Sequence, residues 1–345
     1  MHKVGCTIVA VAVFAAASVV GVGDAAAAAE PTSIVGTANE LHDDVEARVD
    51  ATPAGDHLRI SIFVYRNAEI HRALIDALGR GVAVTLRTEA RQVTWLSGRY
   101  LDELRANGAA VTVCDSSCSG TFINHQKVIA ADDWALVSSG NWGPGSTLFE
   151  GAMLIRRADA PRTHAAIVAA VTSNDDRYTA AYDGGYGMMV PGASGLDFYG
   201  RRVAKMSGPD CVIQLAFGHM KPGRITRAFI SELRQAAKRG CKVDLVWSGT
   251  YRARLHDWIK APATATETKF EAEHQSNVHA KFLAFSGTYN GRQGKTLVIT
   301  GSTNMVGRSF TTNDEMSVQS RHASDFVAYS KFHGIIDGSQ SGTHR

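Results

Sequence analysis

Residues Leu58–Leu86 read LRISIFVYRNAEIHRALIDALGRGVAVTL. The first seven form an apolar run that suits a buried strand. Ile70, Leu74 and Leu78 then fall on one face of a helix. Arg80-Gly81 stops that helix, because glycine takes the left-handed conformation at little cost. Val82–Leu86 is the next strand. Residues Cys211–Val246 repeat the layout: CVIQLAF, a helix carrying Ile225, Phe229 and Leu233, an Arg239-Gly240 stop, and the strand CKVDLV. Both are β-α-β units. The two apolar runs start 153 residues apart, and His125 precedes His279 by 154. So constant an offset argues for duplication. The expected fold is α/β: two repeated domains, each a mixed β-sheet flanked by helices, meeting across a pseudo-two-fold interface.

The halves stay parallel outward from these units. Asn124-His125-Gln126-Lys127 and Asn277-Val278-His279-Ala280-Lys281 each precede an apolar strand. Each half then carries a second strand, a Ser/Gly-rich turn with an Asn, and an acidic residue opening another strand, Glu150 or Glu315. Each closes on a helix, near Thr163–Val171 and Ser324–Ile335. The first domain is expected at 30–185 and the second at 201–338, joined by a Gly-rich linker at 186–200. Residues 339–345 are small and polar, as in a disordered tail.

Residues 1–29 have the form of a secretory signal peptide. Lys3 supplies the positive start, Thr7–Val22 is apolar, and Ala25–Ala29 offers cleavage sites, the favoured one after Ala29. The expected destination is outside the cell. Across 345 residues the chain is 45% hydrophobic and 20% charged, which is ordinary globular composition. Its net charge of +3 excludes a strongly basic nucleic-acid coat and an acidic disordered chain. Loss of the leader removes Cys6 and leaves Cys114, Cys118, Cys211 and Cys241. An even count in an exported chain suggests two disulfides. Cys211–Cys241 is favoured, since both start apolar β-runs separated by a helix and neighbouring strand starts lie within reach. Cys114–Cys118 would then close a small loop. Free thiols are the alternative, and a zinc site lacks a second close Cys/His pair.

The chemistry lies in two His-x-Lys pairs. On a strand, residues i and i+2 share a face, so His125 sits beside Lys127 and His279 beside Lys281. Each pair is followed by a turn, Ser138-Ser139-Gly140-Asn141 and Gly301-Ser302-Thr303-Asn304. Docked about a two-fold axis, two His, two Lys and two Asn converge on one cleft. That constellation suits a phosphodiester. Lys127, Lys281, Asn141 and Asn304 can bind the non-bridging oxygens as charge develops. One neutral His can attack phosphorus, and the other can donate to the leaving oxygen and later activate water. Each His needs its other ring nitrogen held by a carboxylate, and Glu150 and Glu315 are the candidates. No metal or other cofactor is needed, and the sequence has no carboxylate cluster for magnesium or calcium. Ser139 and Ser302 are further candidates for phosphate contact or for packing the turns. Trp142 could floor the cleft or pack in the core. Trp247 and Trp258 flank a loop that could form a rim.

With these residues in place, the chain resembles the phospholipase D superfamily, marked by H-x-K-x4-D followed by G-S-x-N. His125, Lys127 and Asp132 match the first element fully. Ser139 and Asn141 match the turn, with Ser138 in place of its Gly and the spacing shortened by one. The second copy has His279 and Lys281, but Ser286 stands where the Asp should be, and Gly301-Ser302-Thr303-Asn304 matches fully. The resemblance implies His125 as nucleophile, His279 as general acid, and Asp132 as a supporting residue near the site.

Substrate is not shared across that superfamily. One expectation is an exported phospholipase D that hydrolyses phosphatidyl esters at a membrane surface or transfers the phosphatidyl group to an alcohol. A metal-independent endonuclease acting on nucleic acid, and an inactive binding protein, are the alternatives. Export leans towards lipid. A nuclease should carry a basic track, and no long Lys/Arg run supplies one. Gly184–Pro191 (GGYGMMVP) is a candidate for an exposed lipid-contacting loop. The protein is expected to act as a monomer.

Overall fold

The computed structural model describes residues 32–115, 118, 122–144, 146–173, 180–190, 198–249, 255, 257 and 270–338. The expected leader, the tail after Gly338 and Trp258 lie outside them.

The first half runs β1 (Ser33–Thr37), α1 (Ala38–Ala51), β2 (His57–Ile62), α2 (Ala68–Gly79), β3 (Ala83–Glu89), α3 (Trp95–Ala106), β4 (Ala110–Cys114), β5 (Ile123–Asn124), β6 (Lys127–Ala130), β7 (Trp134–Ser138), β8 (Phe149–Arg156) and α4 (Pro161–Thr172). The second runs β9 (Ala180–Asp183), β10 (Tyr186–Met189), α5 (Phe198–Val203), β11 (Met206–Phe217), α6 (Arg224–Lys238), β12 (Lys242–Trp247), β13 (Phe270–His274), β14 (Lys281–Tyr289), β15 (Arg292–Gly301), β16 (Asn313–Asp314), β17 (Ser317–Ser320) and α7 (Ala323–Gly338).

The strand order shows the duplication. The first sheet is β4-β3-β2-β6-β7-β8-β1, and the second is β13-β12-β11-β14-β15-β17-β10-β9. The first six positions correspond one to one. In each half the β-α-β units pair in parallel, as β2 with β3 and β11 with β12, while the strand after His-x-Lys runs antiparallel to the first. Both sheets are therefore mixed, as expected. The helix stops behave as read: Gly81 and Gly240 have φ of 91° and 102°. Asn67 caps α2 by accepting the Ile70 N–H.

Three apolar clusters hold the layers. One lies between α1–α3 and the outer face of the first sheet, around Ile60, Leu74 and Leu104. Another lies between α5, α6 and the second sheet, around Ile213, Phe229 and Leu245. The third joins the inner faces of both sheets: Val128, Val137 and Met153 share it with Ala280, Phe282 and Val298, closed by Ile167 of α4 and Phe332 of α7. The halves thus share a core.

Two segments differ from the sequence reading. Residues 180–189, split there between the first domain and the linker, form β9 and β10 on the second sheet, with β10 antiparallel to β17. Tyr186, Met188, Met189 and Val190 are 5%, 0%, 0% and 7% exposed, so the apolar side chains of this segment belong to the core and do not face lipid. Trp247, expected near a rim, is buried at the end of β12. Both disulfides form as favoured, Cys211–Cys241 with Cα atoms 4.3 Å apart and Cys114–Cys118 at 5.0 Å.

Candidate active site

The two His-x-Lys pairs meet at the interface, and each is placed by the opposite half. β5 pairs with β16, after which the His125 N–H donates to the Asp314 carbonyl at 2.9 Å. Phe149 bridges to Val278 in the same way, and the His279 N–H donates to the Phe149 carbonyl at 3.0 Å. Each backbone contact stands one residue before a glutamate, and this sets the side-chain pairing. His125 Nδ1 lies 2.8 Å from Glu315 Oε2, and His279 Nδ1 lies 2.6 Å from Glu150 Oε1. The pairs are crossed: each carboxylate orients the histidine of the other repeat.

The serines expected near phosphate serve the glutamates instead. Ser139 Oγ donates to Glu150 Oε2, and Ser302 Oγ to Glu315 Oε2, each at 2.5 Å. Both serines are fully buried. Asn313 Nδ2 donates to Glu315 Oε1 at 3.2 Å. Lys127 Nζ donates to the His125 carbonyl at 2.7 Å, and Lys281 Nζ to the His279 and Ser139 carbonyls at 2.5 and 3.2 Å. These short tethers place both ammonium groups beside the imidazoles. Phe63 packs on His125 with ring centroids 4.9 Å apart.

The charges are strongly coupled. Burial pushes the His125 imidazole down to about 4, against the pull of Glu315. Burial also lowers His279, against Glu150. For both glutamates burial acts upward, but the facing His, the lysines and the serine hydroxyl outweigh it and hold them low. Burial and the Lys281 charge push Lys127 well below its ordinary value, and burial draws Lys281 to about 8. At neutral pH the resting site therefore holds neutral imidazoles against carboxylate anions. That fixes the proton on Nδ1 and leaves each Nε2 a lone pair. A phosphodiester anion would favour the charged forms of Lys and His, so binding draws protons in.

The cleft opens beside His279. A pocket of about 220 Å³ there is lined by Glu150, Asn141, Arg66, Val64, Leu148 and His42, among others. The His279 side chain is 24% exposed and that of His125 11%. Arg66 and His42 lie outside the recurring motifs. The Arg66 guanidinium makes no ion pair among the described residues, and its Nε is buried without a partner. His42 Nε2 lies 2.8 Å from the Asn141 carbonyl, and its Nδ1 lies 3.1 Å from Asn67 Nδ2. Asn67, already the cap of α2, thereby holds His42 under the Asn141 turn. The only sequence signal for Arg66 was its place just past the end of the first apolar run.

Other candidates lie farther out. Trp142 is 2% exposed and its indole packs on Tyr65, so it belongs to the first core and not to the cleft. Asp132 ion-pairs with Arg59 at 2.7 Å, which ties the β6–β7 turn to β2. In the second half Ser286 sits opposite Val212 in register. In register Gln214 takes the place there that Arg59 holds in β2, opposite Ala284 as Arg59 is opposite Ala130, so acid and base are both replaced by uncharged side chains. The Gly-to-Ser departure at Ser138 is absorbed locally: Ser138 Oγ accepts the Gly140 N–H at 2.7 Å, and the glycine moves to 140, where a Cβ would lie 2.5 Å from Leu41 Cδ2.

A family model described as "Cardiolipin synthase, PLD-like domain" matches residues 50–168 and 212–333, one segment in each half. No curated protein matches the chain. Among solved structures, the phosphatidylserine synthase of Haemophilus influenzae superposes with a TM-score of 0.60 at 10% identity, over 88% of this chain and 85% of that one. The polyphosphate kinase of Porphyromonas gingivalis gives 0.55 at 14% identity over 88% of this chain, which spans half the kinase's length (50%). A phospholipase D family member, Nuc from Salmonella typhimurium, gives 0.33 at 22% identity, over 37% of this chain and 84% of its own. At these identities the first two likenesses speak to fold.

Proposed function

The chain belongs to the phospholipase D superfamily, both of its halves matching the cardiolipin synthase-like domain, and from that premise we propose that it is an exported phospholipase D acting on glycerophospholipids through a phosphohistidine. The observation that carries the reading is the pair of crossed His–Glu contacts with both lysines in one cleft.

His125 is the nucleophile. Glu315 holds its Nδ1–H, so the Nε2 lone pair attacks phosphorus and a P–N bond forms. The lysines and the amides of Asn141 and Asn304 receive the charge developing on the non-bridging oxygens. The P–O bond to the leaving alcohol breaks, and its oxygen takes the Nε2 proton of His279, which Glu150 has kept oriented. His279 then removes a proton from water, or from an acceptor alcohol, which attacks phosphorus and releases His125. This order is supported by the open pocket, which lies on the His279 side, where a leaving group departs and water enters. Arg66 in that pocket favours a neutral or anionic headgroup over a quaternary ammonium. The inactive reading loses its main ground, since Ser286 stands in a position whose partner Asp132 is engaged with Arg59.

The test is a paired assay on oxidised mature protein with EDTA present. One arm uses phosphatidylcholine and phosphatidylglycerol vesicles with a primary alcohol, and the other uses single- and double-stranded oligonucleotides. A phosphatidyl-alcohol product that disappears in His125→Ala is expected, with protein stopped by denaturation at alkaline pH labelled on His125 alone. Cutting of oligonucleotide without lipid turnover would assign a nuclease. Label on another residue would sink the mechanism.

A further inference from the structure

The apolar side chains of the segment expected to meet lipid, Tyr186 to Val190, are buried, but an exposed apolar cluster lies elsewhere. After β3 the chain turns into α3, and there Val93, Trp95 and Leu96 are 37%, 76% and 39% exposed. Among the described residues six large hydrophobics are exposed, and three of them fall within these four positions. Composition does not require this of a surface helix start.

The turn connects to the catalytic edge through named contacts. The Glu89 carboxylate, at the end of β3, accepts the Asn124 N–H at 2.9 Å, one residue before His125. The Arg91 guanidinium stands 4.6 Å from the ring centre of Phe122, and Arg308 of the second half stands over the same ring at 4.2 Å. Arg99 covers the Trp95 ring at 5.1 Å. Arg91, Arg99 and Arg308 are exposed. Both halves thus contribute cations around the apolar tip, at the edge that carries His125.

Three chemistries combine here. An indole prefers the boundary between headgroups and hydrocarbon. Guanidinium groups pair with lipid phosphates and concentrate at an anionic surface. Val93 and Leu96 gain from hydrocarbon but offer nothing to a stacked base, which favours a membrane over nucleic acid as the occupant. We propose that residues 91–99, with Arg308, form the surface that seats the cleft on an anionic phospholipid membrane. This rests on the phosphatidyl reading of the cleft.

The experiment is sedimentation with sucrose-loaded vesicles, either phosphatidylcholine alone or an equal mixture with phosphatidylglycerol. Beside the full mature protein run Trp95→Ala/Leu96→Ser, Arg91→Gln/Arg99→Gln and His125→Ala. Hydrolysis of bis(p-nitrophenyl) phosphate in solution reports the fold and the cleft. The native protein should prefer the mixed vesicles. The apolar double variant should lose about tenfold or more in vesicle affinity with soluble turnover unchanged. The arginine variant should lose its preference for the anionic mixture, and His125→Ala should bind as the native protein does. Equal binding by the apolar variant, no binding of either vesicle by the native protein, or loss of oligonucleotide binding in place of vesicle binding would each overturn the proposal. Vesicle binding through Trp95 without phosphatidyl turnover would leave the docking surface standing and remove the phospholipase reading.

Discussion

Replacing Glu315 by Gln keeps the shape of the side chain and removes the anion that holds His125 Nδ1–H. The crossed pairing makes the consequence specific. On the proposed order, in which His125 attacks, Glu315→Gln should lower both the burst of p-nitrophenol and the steady rate, by about 10²–10⁴. His279 is needed to protonate a poor leaving group and to activate water, whereas p-nitrophenolate leaves without help. Glu150→Gln should therefore keep the burst and lose turnover to a similar degree, with phosphohistidine accumulating. Rapid-quench kinetics on the two variants decides this, and the reverse pattern would exchange the histidine roles. The pH profile on the same soluble substrate follows from the charges. As the proposed nucleophile His125 must be neutral, so kcat/KM should fall on the acid side as it takes a proton near 4. As a proposed phosphate ligand Lys281 must be charged, so kcat/KM should fall on the alkaline side through about 8. These residues were legible because His and Lys stand two apart at the entry to an apolar strand and the motif occurs twice; the strands themselves begin at Lys127 and Lys281, two residues after each His. Which glutamate serves which histidine was not, since nothing within one repeat reveals that its acid crosses to the other. Arg66 and His42 were invisible for a related reason: each reaches the cleft from outside any repeated pattern.

At the scale of elements, the β-α-β units were legible because apolar periodicity and Arg-Gly stops agree on them. β10 was not. Its Gly187 and two methionines resemble a linker, and the antiparallel ladders with β17 and β9 place them in the sheet. The disulfides divide in the same spirit. Cys211–Cys241 joins the start of the β11 ladder with β12 to the residue before β12, at the strand ends remote from the cleft. Cys118 instead donates its N–H to Asp314 Oδ2 at 2.9 Å, and the Asp314 carbonyl holds the His125 N–H. Removing Cys211–Cys241 by paired Cys→Ser exchange should cost about 3–4 kcal/mol, given the loop it closes. In a chain of this size that is a fall in Tm of about 5 °C, with kcat at 25 °C unchanged. Exchange of Cys114 and Cys118 should do the opposite: little change in Tm, because the loop is short, and a lower kcat. Calorimetry and turnover of the soluble substrate measure both. A drop in kcat from the first exchange, or none from the second, would contradict this division.

The whole molecule is where duplication could mislead. Two repeats suggest two bodies that fold alone and then dock. The inner core argues otherwise, because Val128, Val137 and Met153 of one sheet find their apolar partners in Ala280, Phe282 and Val298 of the other. The site repeats the point in polar terms. Without the second half, Glu150 loses His279 and Lys281 and keeps only Ser139 and Lys127 near it, and His125 loses Glu315. Uncompensated burial of such groups costs several kcal/mol, and an exposed inner sheet face adds the loss of its burial. Each half therefore depends on the other by amounts comparable to a domain's whole stability. The oxidised protein should unfold in one transition at neutral pH, with calorimetric and van't Hoff enthalpies equal. Soluble turnover should vanish along the same curve as the near-ultraviolet circular dichroism. A calorimetric enthalpy near twice the van't Hoff value would mean that the repeats melt independently. The crossed pairs would then be a docking contact, and the cleft could open without unfolding either sheet.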